Sequence, residues 1–114
     1  MSNVLKSFKK MRASHILLSY KGAKNSTHSR GVGEAMKEGE RITKELQAGG
    51  VSFDQLAREN SACPSKDKGG ELGWFEPTDM VLEFTTACNQ IPIGELGPHP
   101  FVTEFGVHVI WRTG

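Results

Sequence analysis

Two β-prone runs stand at opposite ends of this 114-residue chain, and every helical signal lies between them. The first is Arg12-Ala13-Ser14-His15-Ile16-Leu17-Leu18. The last is Val107 to Arg112, where Val107, Val109 and Trp111 alternate with His108, Ile110 and Arg112. The full order of signals is strand, two helices, strand, helix, strand, strand. Helices and strands do not alternate regularly, as a doubly wound sheet would require. The order predicts an α+β domain around a small mixed or antiparallel sheet. The length corresponds to one domain, and 37% hydrophobic residues suffice for a core.

Between the end strands, Ser19 to Gly33 has no apolar period and reads as a long loop, a length that is usually functional or disordered. Glu34 to Ala48 is the clearest helix, because Ala35, Gly39, Ile42 and Leu46 fall on one face, and Gly49-Gly50 stops it. Ser52 with Gln55 reads as a capping box opening a short second helix, with Phe53, Leu56 and Ala57 as its apolar face. Ser61 to Gly70 is a turn-rich connection. Leu72 to Phe75 reads as a strand. Thr78 or Asp79 is expected to cap a third helix over Met80 to Asn89, with Met80, Phe84 and Ala87 on one face. Phe101 to Thr103 is extended, and Gly106 turns the chain into the last strand. Residues 1–10 read as a flexible basic tail and 11–114 as the domain.

Several classes are disfavoured. The longest aliphatic run is Ile16-Leu17-Leu18, far short of the ~20 residues of a membrane span. The first residues lack the apolar stretch of a secretory signal. The two cysteines, Cys63 and Cys88, are therefore read as reduced thiols in the cytoplasm or nucleus. Residues 1–33 carry seven Lys/Arg and no acid, whereas the remainder carries 7 basic and 13 acidic residues. That edge is either a solvated tail or an attractor for an anionic partner. Nucleic acid is the less favoured partner, because no aromatic residues interleave with the charges for stacking. No close His/Cys pairs suggest a metal, and no cofactor motif occurs. A Cys/His/His set suggests a nucleophilic hydrolase only weakly, and a thiol oxidoreductase lacks its C-x-x-C. His15 and His108, in the first and last strands, are placed to be neighbours across a sheet. Cys63, before Pro64 in a glycine-rich loop, reads as accessible, and Cys88 as packing.

The pieces RASHILL, FDQLARENSACPSKDKGGELGWF, MVLEF and VTEFGVHVIWRTG occur in one order from Arg12 to the C-terminus. In this the chain resembles the parvulin family of peptidyl-prolyl isomerases. The resemblance implies an α+β, FKBP-like fold: a four-stranded antiparallel sheet flanked by about four helices, with a fourth helical turn somewhere in Cys63 to Lys68. It implies rotation about X–Pro bonds without a cofactor. His15, Cys63, His108 and Thr103 match the family's catalytic positions. Leu72, Met80 and Phe84 match the pocket for the proline ring, with Phe75 and Phe101 lining or supporting it.

Rotation needs no bond cleavage, so the residues have only to favour the twisted amide over the planar one. The resemblance implies an apolar cup for the ring, polar groups at the carbonyl side, and an electrostatic rather than covalent role for Cys63. Lys21, Lys24 and Arg30 in the long loop are the candidate phosphate ligands. However, the paired arginines of the phospho-directed members are missing, and Phe105 and Val81 replace small or polar residues of that group. The expectation is a broad X–Pro isomerase with a preference for an acidic or phosphorylated Ser/Thr before proline, acting as a monomer on peptides or proteins. A non-catalytic proline-peptide-binding or chaperone module with the same groove is the second reading.

Overall fold

The computed structural model describes residues 8–114. Most of the expected tail, residues 1–7, lies outside the described residues. Of the rest, Lys9 and Lys10 are exposed, and Lys10 reaches Glu76 at 3.8 Å. The strands are β1 (Met11–Leu18), β2 (Glu71–Phe75), β3 (Phe101–Thr103) and β4 (Gly106–Arg112). The helices are α1 (Val32–Ala48), α2 (Phe53–Asn60) and α3 (Leu82–Gln90), with a 3-10 helix at Pro64–Lys68 between α2 and β2. The four strands form one antiparallel sheet in the order β2-β1-β4-β3, so the two ends of the sequence lie side by side at its centre. This is the α+β architecture that the resemblance implies. The 3-10 helix is its fourth helical turn.

Strand alternation divides the core between the two faces. Ile16 and Leu18 of β1 and Val107 and Val109 of β4 pack with Ala35 and Ile42 of α1 and with Phe53, Leu56 and Ala57 of α2. Met11, Ala13 and Ile110 pack on the opposite face with Phe75 and with Phe84, Ala87 and Cys88 of α3. Gly39 allows α1 to lie close to the sheet: a Cβ there would sit 2.9 Å from Pro100 and 3.1 Å from Val107.

Two helix starts differ from expectation. α1 begins at Val32, two residues early, because the Glu34 carboxylate accepts the Gly31 N–H at 3.3 Å and extends the first turn backward. α3 begins at Leu82, two residues late, and neither Thr78 nor Asp79 caps it. The Asp79 carboxylate instead accepts the Glu76 N–H at 2.8 Å, closing a turn before the helix. Met80 and Val81 therefore precede the helix rather than ride on it. At α2 the Ser52 hydroxyl accepts the Gln55 N–H as expected, but the Gln55 amide reaches Glu59 instead of returning to Ser52. The box is half formed.

Candidate active site

His15 and His108 are diagonal neighbours in the central strand pair. His15 faces Ile110, and Leu17 faces His108. Both rings point to the α3 side, nearly parallel, with centroids 5.1 Å apart and Nδ1 to Nδ1 at 2.9 Å. Phe84 of α3 stands edge-on to both rings, at 5.6 Å and 5.3 Å. The other nitrogen of His108, Nε2, lies 2.7 Å from the Thr103 hydroxyl, which also accepts the Phe105 N–H at 3.1 Å.

The buried Thr103 hydroxyl already accepts from the Phe105 N–H, so we assign its O–H to donate to His108 Nε2, which leaves no hydroxyl proton unpaired. In that tautomer His108 carries its proton on Nδ1 and donates to His15 Nδ1. His15 then carries its proton on Nε2, a buried atom without a hydrogen-bond partner. One donor remains at the end of the relay. Burial holds His15 down to about 4, and burial together with the charge that His15 would carry holds His108 down to about 3. Both rings are neutral at pH 7, as the relay requires.

The histidines form one wall of a cavity of about 330 Å³. Leu72, Met80 and Phe84 line its apolar side, and Cys63 enters from the residue before the 3-10 helix. Thr103 lies behind His108, and Phe75 lies under Phe84 with ring centroids 5.9 Å apart, so both support the cavity without lining it. Phe101 does not line the cavity; its ring is tilted against His99, centroids 4.7 Å apart, and it packs against the α3 cluster. Four further residues line the cavity: Leu17, Asp79, Val81 and Phe105. Leu17 was findable, since it lies two residues beyond His15 on a strand and so shares its face. Asp79 was hidden by its resemblance to a helix cap.

The basic loop residues do not converge. Lys24 places Nζ 5.4 Å from the centre of the Phe105 ring, at the cavity edge. Arg30 instead donates from Nε to the Ser19 carbonyl at 2.8 Å. It also lies near Glu38, whose carboxyl is held low mainly by its hydrogen bond from Arg41 and in smaller part by Arg30. The Arg30 carbonyl accepts the Lys21 N–H, so the loop is closed on itself at that point. Among the described residues, no three His, Cys, Asp or Glu side chains converge as metal ligands, and no helix is long and apolar enough to cross a membrane.

A family model described as the PPIC-type PPIase domain matches residues 1–113. The chain is 38% identical over 77 residues to the chaperone SurA of Bordetella pertussis, covering 68% of this chain and 15% of that protein. It superposes on peptidyl-prolyl isomerase ESS1 from Candida albicans with a TM-score of 0.86 at 28% identity, covering 92% of this chain and 63% of that one. The solution structure of TbPIN1 superposes with a TM-score of 0.81 at 31% identity, covering 92% and 97%. The chain thus spans about 15% of the length of the first curated relative it matches.

Proposed function

The chain belongs to the PPIC-type PPIase domain family, and from that premise we propose that it catalyses cis–trans rotation about X–Pro bonds in peptides and proteins. The observation that carries this reading is the cavity itself. An apolar seat of Leu72, Met80 and Phe84 lies against two neutral, hydrogen-bonded imidazoles and a thiol.

Amide resonance sets a rotation barrier of roughly 18–20 kcal/mol. Each ~1.4 kcal/mol by which the site prefers the twisted imide over the planar one gives about tenfold in rate. The seat holds the pyrrolidine ring while the carbonyl arm turns. The apolar lining keeps water from the planar, charge-separated form, which water stabilises most. As the amide twists, the imide nitrogen regains its lone pair and becomes an acceptor, so any donor that reaches it favours the twisted state. Cys63 stands at the carbonyl side as a polarisable wall. Rotation forms and breaks no bond, so no thiol adduct is part of this mechanism.

The finer specificity in this reading is a preference for an acidic or phosphorylated Ser/Thr before proline. Its support is narrower than the loop composition suggested, because only Lys24 is seen against a cavity residue while Arg30 is engaged elsewhere. Lysine is a point charge, so the preference is for negative charge in general rather than for the forked geometry of a phosphate. The reading also includes a reducing compartment, cytoplasm or nucleus, in keeping with two unpaired thiols.

NMR exchange spectroscopy on Ala-Pro, Glu-Pro and phosphoSer-Pro peptides tests the reading. Accelerated exchange on all three, fastest on the charged pair, is expected. Peptide binding without accelerated exchange would replace it with the non-catalytic, chaperone-like alternative.

A further inference from the structure

The chain has one tyrosine, Tyr20, just beyond β1 at the head of the long loop. Its ring is half-buried against the α1 and α2 side of the core. It does not line the cavity. Its O–H donates to the Thr103 carbonyl at 2.8 Å, a bond that spans most of the sequence. Thr103 ends β3, an edge strand of three residues paired with β4 on one side. So short a strand offers few ladder bonds to fix its backbone. Threonine is stiff at χ1, so the hydroxyl follows wherever that backbone goes. The hydroxyl in turn meets His108 Nε2 at 2.7 Å. The loop also holds the next two residues, through the Lys24 N–H on the Glu104 carbonyl and Lys24 Nζ over the Phe105 ring. Only the Tyr20 bond falls on the residue that touches His108.

We propose that Tyr20 is a positioning residue: its phenol holds the Thr103 backbone so that the Thr103 hydroxyl reserves His108 Nε2 as an acceptor and thereby selects the His108 tautomer. Loss of the hold displaces the hydroxyl and lets His108 take its proton on Nε2. His108 Nδ1 then becomes the acceptor, His15 must donate from its own Nδ1, and the polarity of the pair reverses. The effect on rate rests on the isomerase reading above; the tautomer is read on the free protein.

The test compares the full chain with Tyr20→Phe, Thr103→Val and the double variant. Phenylalanine keeps the ring in the core and removes only the O–H. Ring-nitrogen NMR shifts give the His108 tautomer at pH 7, and exchange spectroscopy on an Ala-Pro peptide gives kcat and KM. The native chain should show His108 protonated on Nδ1. Tyr20→Phe should show both tautomers, with kcat about fivefold lower and KM unchanged. In the Thr103→Val background Tyr20→Phe should change kcat no further, because the route is already cut. A second measurement needs no variant: 3-fluorotyrosine supplied during growth labels only Tyr20, its phenol ionises at lower pH than tyrosine, and the His108 shifts should move as that donor is lost. His108 shifts that ignore the phenol in both measurements, or an undiminished fall in kcat in the Thr103→Val background, overturn the proposal and leave the isomerase reading in place. A tautomer change without any accelerated exchange by the native chain overturns the isomerase reading and leaves the positioning role.

Discussion

Acidification tests the buried imidazole pair. His15 is 6% and His108 4% exposed, and the fold holds them near 4 and 3 against 6.5 in an unfolded chain. Between pH 6.5 and about 4 the unfolded chain binds two protons that the folded chain refuses, so stability falls as pH falls through that window. Taken over the two shifts, the loss is on the order of a few kcal/mol between pH 7 and 5.5 and grows further as pH falls to 4.5. With a urea dependence of roughly 1–3 kcal/mol per molar, that loss lowers the unfolding midpoint by on the order of 1 M. Urea titrations at pH 7, 6, 5.5 and 5, read by tryptophan fluorescence, give this slope directly. A His15→Leu/His108→Leu variant should lose most of it. A midpoint unchanged between pH 7 and 5.5, or His15 and His108 ring resonances titrating near 6.5 in the folded protein, would refute both the neutral pair and the proton assignment built on it.

Three other perturbations probe separate parts of the site. Met80 is only partly buried and lies before α3, so Met80→Ala should cut kcat/KM about tenfold while leaving the thermal midpoint nearly unchanged. Gly70 has φ +86, and a Cβ there would lie 2.5 Å from the His15 carbonyl. Gly70→Ala should therefore cost about 2 kcal/mol or more in urea unfolding and shift the His15 ring resonances. Cys63→Ser keeps a small polar wall and should retain at least about a tenth of the activity; complete loss together with a trapped thioester-like adduct would demand a covalent role.

The periodicity of the chain carried much of the fold. Ile42 and Leu46 announced α1, and the alternation around His108 announced β4, because burial of one face imposes its spacing locally. The start of α3 was not legible. Asp79 is chemically suited both to cap a helix and to close a turn, and here it takes the N–H of Glu76, three residues back, rather than a helix N–H. The juxtaposition of His15 and His108 was legible as a neighbourhood but not as a register, because Leu17 opposite His108 is fixed by the pairing of strands some ninety residues apart. The basic loop was legible only as composition, for a related reason. Composition counts Lys21, Lys24 and Arg30 alike, but the Ser19 carbonyl takes the Arg30 guanidinium, and no local pattern reports a side chain drawn back onto its own loop.

Arg112, at the end of β4, gives the site a mechanical asymmetry. Its guanidinium donates to the Ile91 carbonyl at 3.0 Å, and also to Asn89, at the C-terminus of α3, a helix with no basic residue in its own last turn. The helix that carries Phe84 is thereby riveted to the strand that carries His108, and the back of the proline seat is one stiff piece. Accommodation of bulkier neighbours along a bound peptide then falls to the front, where Phe105 and the segment beneath Lys24 hang on a few bonds at the rim of the sheet.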